Sequence, residues 1–295
     1  HIDEHKVISF DVFDTLLQRR VNVAGDVIKL VAKTAFERFG IDEQEFLKSR
    51  REAKLHSDKV EVPLEERYSI VGRLLNLDPS VSEALFAIEL DYENSLLHER
   101  TMGKLLFLYA KAKGKRVIVT SDTYFDQVFV AEALSREGIV PDAFYLSRDY
   151  DATKEAGPLF ASVISSEGLD ILHIGDNKKA DYTNARAAGI SAVWLISNKE
   201  QATRSSPKFS LVPGANGYLA TLQNGLIVNN LTRYPAITRD AGYTQGAARD
   251  LGFNVFGDMI LAFAAWIILK AKQDGIHKIF FLARDGEIAK RAVDA

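Results

Sequence analysis

The 295-residue sequence has no cysteine, which removes disulfides, thiol nucleophiles, iron–sulfur clusters and cysteine-ligated zinc from its possible chemistries. Any metal must be held by oxygen or histidine, and the six histidines show no ligand spacing. An excess of one charge is also missing: 37 lysines and arginines stand against 40 aspartates and glutamates, a formal net charge of -3. No polyanion-binding face follows from that balance, and no nucleic-acid partner is expected. Long hydrophobic runs are absent as well. The longest, Met259 to Leu269, falls short of the ~18 to 20 residues that cross a bilayer and reads as a buried helix. The first residues, His1 to Lys6, are charged and lead straight into an apolar run, without the n-region and h-region of a signal peptide. The expected location is cytoplasmic.

What is present is ordinary for a globular chain: 47% apolar and aromatic residues, 26% charged. At ~150 residues per domain the length suits about two domains. Short β-rich runs recur at Val7 to Phe10, Val117 to Thr120, Phe144 to Leu146, Ile171 to Ile174 and Ala192 to Ile196, each reading as a buried parallel strand. Helical patterns separate the later ones, such as Phe125 to Gly138 and Ala180 to Gly189, both ending at a glycine. Alternation of this kind predicts an α/β fold, a Rossmann-like doubly wound parallel sheet, with strand one central between strands two and three on one side and four and five on the other.

Leu17 to Glu99 interrupts the alternation with helix signals alone. Asp42 with Glu45 and Ser80 with Glu83 have capping-box spacing, and Gly40 closes a helix through Val31, Ala35 and Phe39. The expected organisation is a core domain of residues 1–16 and 100–198 carrying an all-helical cap over 17–99. An insertion after strand one hangs over the edge where such sheets bind ligands. Three of the seven prolines fall between Pro207 and Pro235, so 199–248 reads as linker. Residues 249–295 resume with a helix over 253–270 and a strand, Ile279 to Ala283, followed by Arg284-Asp285-Gly286. That reads as the start of a second α/β domain, and two readings stay open: the chain is a fragment of a longer protein, or this piece docks on the first domain.

Four strand ends carry chemistry: Asp11-Val12-Phe13-Asp14-Thr15-Leu16 after strand one, Ser121-Asp122 after strand two, Lys154 after strand three, and Gly175-Asp176 with Asp181 after strand four. A parallel sheet brings these ends to one edge. Asp11 is the candidate nucleophile, because a carboxylate can form an aspartyl phosphate that water later hydrolyses. Oxygen ligands from Asp11, Asp176 or Asp181 and the backbone carbonyl of Phe13 suit octahedral Mg²⁺, the expected cofactor. Asp11, Asp176 and Asp181 with a phosphate dianion bring about five negative charges, against which Mg²⁺ and Lys154 supply three positive. Ser121 can donate its hydroxyl to a phosphate oxygen. Thr15, Asp122 and Arg19 complete the expected substrate-binding set, while Arg20 either joins them or closes the hinge, and His173 reads as a core residue. A phosphoacceptor receiver domain uses similar groups but in another order and without an inserted cap.

In these residues the chain resembles the haloacid dehalogenase-like (HAD) hydrolase superfamily over about residues 6–198: Asp-x-Phe-Asp-Thr-Leu, a strand-end serine, a lysine near 154 and Gly-Asp-x4-Asp match its four motifs, and the insertion resembles its type-one cap. The resemblance implies a phosphatase of small phosphorylated substrates. More narrowly, Ile8 to Leu17 and Phe281 to Gly286 resemble HAD-like proteins found with, or fused to, bacterial glycosyltransferases of surface-polysaccharide synthesis. One departure stands out. Family phosphatases usually carry a second aspartate two positions after the nucleophile as general acid and base, a function worth roughly 10² to 10⁴ in rate, and here that position is Phe13. Asp14, in an extended strand, would point to the other face. Three readings stay open: a slow phosphatase, an enzyme acting on a good leaving group, and a non-catalytic module that binds a phosphorylated sugar or scaffolds a polysaccharide enzyme.

Overall fold

Periodicity-two burial on both faces of a sheet explains the order of the first unit. The computed structural model describes residues 1–21, 23–205, 218–231 and 256–294 and divides into two units, His1–Arg233 and Tyr234–Ala295. In chain order the first unit runs β1 (Val7–Phe10), β2 (Leu17–Arg19), α1 (Gly25–Phe39), α2 (Glu43–Glu52), α3 (Leu64–Leu74), α4 (Pro79–Leu96), β3 (Leu97–Glu99), α5 (Thr101–Ala112), β4 (Arg116–Ser121), α6 (Gln127–Arg136), β5 (Ala143–Leu146), α7 (Ser147–Tyr150), α8 (Pro158–Glu167), β6 (Ile171–Gly175), α9 (Ala185–Ala187), β7 (Ser191–Trp194), α10 (Asn198–Ser205) and α11 (Tyr218–Leu231). Five strands pair in parallel in the order β5-β4-β1-β6-β7, the doubly wound sheet that the strand ends imply. Alternate side chains go to opposite faces: Ile8, Phe10, Val117, Val119, Leu172 and Ile174 join one core cluster with Phe107 and Leu134, and Val7, Ile118 and Ile171 join another with Phe160 and Val163.

Between β1 and β4 stand the helices α1 to α4, with Asp42 the N-cap of α2 as expected, while α4 is capped by Asp78 rather than by Ser80, which lies within its first turn after Pro79. The insertion is not all-helical. Its two ends pair as an antiparallel ribbon, Leu17 opposite Glu99 and Arg19 opposite Leu97, because chain leaving and re-entering the core side by side can satisfy its backbone only across that gap.

Two further expectations are corrected. The linker expected over 199–248 contains α10 from Asn198 and α11, and α11 lies against the root of the insertion: Asn229 Nδ2 donates to the Arg19 carbonyl at 2.8 Å, and a Cβ on Gly225 would sit 2.2 Å from the Arg20 carbonyl oxygen. Residues 206–217 and 232–248 lie outside the described residues. In the second unit, α12 (Gly257–Gln273) and α13 (Glu287–Asp294) are joined without the expected strand at Ile279 to Ala283. A strand needs a neighbour to pair with, and none is present among the described residues of that unit. Arg284-Asp285-Gly286 forms a turn with Arg284 at φ 75°. No helix among the described residues is long and apolar enough to cross a membrane.

A buried ion pair closes the insertion on the core. Glu89 is fully buried and accepts from Arg50 at 3.0 and 2.8 Å, from Tyr68 Oη at 2.5 Å and from Tyr124 Oη, a core residue, at 3.2 Å. Removing one partner leaves an uncompensated buried charge. Glu89→Leu should therefore destabilise the protein by about 3–5 kcal/mol in urea denaturation, and Arg50→Met added to it should recover much of the loss; a loss under about 1 kcal/mol would contradict this account.

Candidate active site

The site begins where β1 stops. Past Phe10 the chain turns out of the sheet, leaving Asp11 at the central strand end with only 7% of its surface exposed. Ser121, the last residue of neighbouring β4, donates its hydroxyl to Asp11 Oδ1 at 2.9 Å. Lys154 Nζ, on the loop after β5, donates to the same oxygen at 2.6 Å and to Asp181 Oδ1 at 2.5 Å. That loop is held by Asp122, whose two oxygens accept from the backbone N–H groups of Lys154 at 2.7 Å and Glu155 at 3.0 Å.

On the other side of β1, strand β6 ends in Gly175. Asn177 then caps a wide π-type turn, Lys178–Asn184, which replaces the start of the α-helix expected from Ala180. Asn177 and Asp181 bind each other reciprocally: Asp181 N–H donates to the Asn177 carbonyl at 2.8 Å, and Asn177 N–H donates to Asp181 Oδ2 at 2.8 Å. The Asp181 carboxylate lies against Gly175, where a Cβ would meet its Cγ at 2.2 Å. Only glycine fits there. One carboxylate oxygen from each of Asp11, Asp176 and Asp181 falls within 4.8 Å of the others.

The electrostatics follow from this crowding. Burial pushes the Asp11 carboxyl up to about 6, with Lys154 opposing and Asp181 assisting. Burial and the neighbouring carboxylates of Asp11, Asp14 and Asp181 push Asp176 up to about 8. Asp181 goes the other way, because Lys154 and His173 outweigh its burial and lower it. For Lys154, burial alone would lower the ammonium, and Asp11 and Asp181 reverse that and raise it. A cluster of hard oxygen donors that partly protonates for want of positive charge fits a divalent cation such as Mg²⁺.

A cavity of roughly 350 Å³ opens over the cluster. Asp11, Ser121, Asp122, Lys154, Asp176 and Asp181 line it, as do Phe13 and Arg19. Arg19 donates to Glu93 at 2.8 Å and covers the Phe13 ring at 4.7 Å from its centroid. Thr15 is not in the lining; it is fully buried, and its Oγ1 has no hydrogen-bond partner among the described residues. Arg20 is exposed and outside the lining. His173 is a core residue, as read, although one of its nitrogens reaches the site.

Among the lining residues that escape the sequence reading are Asp14, Glu61 and Tyr124. Asp14 does not point away, because the strand ends at Phe10 and Asp14 sits in a turn at φ 56°, which swings its side chain to the cavity wall; Arg100 Nη1 holds the turn by donating to the Asp14 carbonyl at 2.6 Å. Glu61 comes from the insertion and Tyr124 from the loop after Ser121. Burial raises the Glu61 carboxyl, with Arg67 opposing. No motif marks Glu61, since its place in the cavity depends on how the insertion folds back.

No protein-family model and no curated protein matches the chain. Solved structures do. The 2-haloacid dehalogenase from Pseudomonas syringae pv. Tomato DC3000 superposes with a TM-score of 0.52 at 14% identity, over 74% of this chain and 95% of that one. The fold is that of the haloacid dehalogenases. At that identity the likeness is one of fold alone. A HAD family enzyme from Bacteroides thetaiotaomicron gives a TM-score of 0.49 at 16% identity over 68% of this chain and 98% of that one. A HAD phosphatase from Thermococcus onnurineus gives 0.46 at 18% over 64% and 86%.

The pKa directions predict a pH-dependent response to metal. Asp11 and Asp176 titrate above the ordinary 3.8 in the folded protein, so the stability they contribute is complete below about pH 4 and is lost as pH rises through about 6 and about 8. Cation binding needs the deprotonated forms. The rise in Tm on adding saturating Mg²⁺ should therefore be larger near pH 9 than near pH 5 in scanning calorimetry, and an equal rise at both would remove the acidic cluster as the cation site.

Proposed function

We propose that the protein is a Mg²⁺-dependent phosphohydrolase of small phosphate esters, sugar phosphates among them, working in the cytoplasm. The observation that carries the proposal is the placement of Asp11: a strand-end carboxylate held by Ser121 at 2.9 Å and Lys154 at 2.6 Å, facing a cavity and flanked by Asp176 and Asp181. Mg²⁺ would be held by Asp11, the Phe13 carbonyl and Asp176 with Asp181 beside them, and when bound it neutralises charge on the phosphate. Asp11 attacks phosphorus and the ester P–O bond breaks, giving an aspartyl phosphate and an alkoxide or phenolate that takes its proton from solvent; water, giving up a proton to solvent, then attacks that phosphorus, breaks its bond to the Asp11 oxygen and releases inorganic phosphate. Ser121 and Lys154 donate to phosphate oxygens as charge builds on them.

Phe13 sets the range of leaving groups. It packs against Phe125 at 5.8 Å between ring centroids and offers no proton, so an alkoxide leaving group departs slowly while a phenolate does not need one. The dehalogenase that shares this fold is named for 2-haloacids; the three clustered carboxylates here repel any anionic substrate unless a cation offsets them. Phe13 also favours a second reading, a non-catalytic module that binds a phosphorylated sugar. The likeness of Ile8 to Leu17 and Phe281 to Gly286 to glycosyltransferase-associated proteins supports an association with, or fusion to, such an enzyme.

Turnover of p-nitrophenyl phosphate and a panel of sugar phosphates with Mg²⁺ tests the proposal. Aryl esters should react far faster than sugar phosphates, Asp11→Asn should abolish both, and Phe13→Asp should narrow the gap by up to ~10² to 10⁴. Activity that survives Asp11→Asn would refute Asp11 as nucleophile. Phosphate binding without turnover of any ester would establish the non-catalytic reading.

A further inference from the structure

Below the site, three polar side chains interrupt an otherwise apolar face of the sheet. Ser9 on β1, Thr120 on β4 and His173 on β6 are each at most 1% exposed; the same face carries Val7, Ile118 and Ile171 and is packed against Phe160 and Val163 of α8. Polar groups in such a place are unfavourable unless each is hydrogen-bonded. Here all three are: Thr120 Oγ1 lies 2.9 Å from Ser9 Oγ, Ser9 Oγ lies 2.8 Å from His173 Nδ1, and His173 Nε2 lies 3.2 Å from Asp181 Oδ1. Ser9 and His173 face each other in the strand register, and the Phe160 ring stands edge-on to the imidazole at 5.1 Å.

The chemistry of the groups fixes the direction of the chain. With a carboxylate on one ring nitrogen and a hydroxyl, which can itself donate, on the other, the imidazole satisfies both partners with a single N–H. An ionised Asp181 can only accept, so that N–H is on Nε2. Nδ1 must then accept from the Ser9 hydroxyl, and the Ser9 oxygen accepts from Thr120. At the far end, Asp181 is held from three separate segments: Oδ1 by Lys154 at 2.5 Å and by His173, and Oδ2 by Asn177 N–H at 2.8 Å.

We propose that His173 is a positioning residue: its Nε2–H, oriented by Ser9 and Thr120, fixes the rotation of the Asp181 carboxylate and through it the placement of Lys154 and the cation-binding cluster. It touches no reacting atom. Partners of this kind behind a ligating or charge-bearing group change metal affinity by about 10- to 100-fold when removed. The Mg²⁺ part of this inference rests on the proposed function; the geometry of Asp181 does not.

The test uses the full chain with His173→Phe and His173→Gln. In the native protein without metal, ¹⁵N NMR of the imidazole should show the neutral Nε2–H tautomer; the Nδ1–H tautomer or an imidazolium at neutral pH would overturn the inference. By hydrogen exchange, His173→Phe should speed exchange at the Asn177 amide, which loses its fixed acceptor, while the amides of β6 stay protected. By calorimetric titration with Mg²⁺ alone, His173→Phe should weaken binding about 10- to 100-fold, and His173→Gln, which keeps a donor, should restore most of it. Native-like Asn177 exchange and Mg²⁺ affinity in His173→Phe would refute positioning, and general loss of protection along β6 would show a merely structural role. If His173→Phe does not fold, Ser9→Ala takes its place: Asp181 still requires the Nε2–H tautomer, while the imidazole, freed at Nδ1, should hold Asp181 less firmly and speed exchange at the Asn177 amide; native-like Asn177 exchange in Ser9→Ala would refute the chain. A native protein that binds no Mg²⁺ would sink the functional proposal, and the tautomer and exchange results would still decide this one.

Discussion

A fully buried ammonium is the constraint around which the first unit is arranged. Lys154 is 2% exposed, and a charge taken that far from water persists only with close counter-charges and satisfied hydrogens. Asp11 at the end of β1 and Asp181 after β6 supply the counter-charges. The backbone around the lysine is fixed just as firmly, by Asp122 from one direction and from the other by Asn184, whose Nδ2 donates to the carbonyls of Lys154 and Glu155 at 2.9 and 2.7 Å. Each carboxylate is tolerable because the ammonium is there, and the ammonium because they are. The same dependence links strands β1, β5 and β6 at one sheet edge, so the geometry of the site and the integrity of that edge are a single problem.

The acidic cluster is not neutralised by this arrangement. One lysine balances one of three carboxylates, and the excess appears as the raised values of Asp11 and Asp176. A binding site built this way is under electrostatic strain until positive charge or protons arrive.

Much of this was legible in the residues. Five apolar runs bounded by Asp, Ser-Asp and Gly-Asp gave the sheet order and the common edge, since parallel strands with right-handed crossovers leave few alternatives. What escaped has physical reasons. Three-residue strands such as Leu17–Arg19 are too short to show a period of two. Helix Tyr218–Leu231 spreads its apolar residues around its whole circumference, so no amphipathic stripe announces it amid prolines and glycines. The run Ile279 to Ala283 has strand composition, but composition cannot supply a pairing partner. Asp14 escapes alternation because the strand ends at Phe10 and a turn carries it, and Glu61 because a cavity wall contributed by an insertion is fixed by packing rather than by spacing.

The loop that begins at Ser121 ends, three residues later, at Tyr124, whose hydroxyl reaches Glu89 and whose carbonyl accepts from Leu64 N–H at 3.2 Å. One short stretch of chain therefore serves both as a wall of the site and as the anchor of the helices above it. Such an insertion is not an interchangeable module. A designer who replaced residues 17–99 with another helical segment, to admit a different ligand, would strand the Tyr124 hydroxyl and release the loop that sets Ser121 against Asp11. A successful graft would have to bring its own buried acceptor to the position Glu89 now occupies.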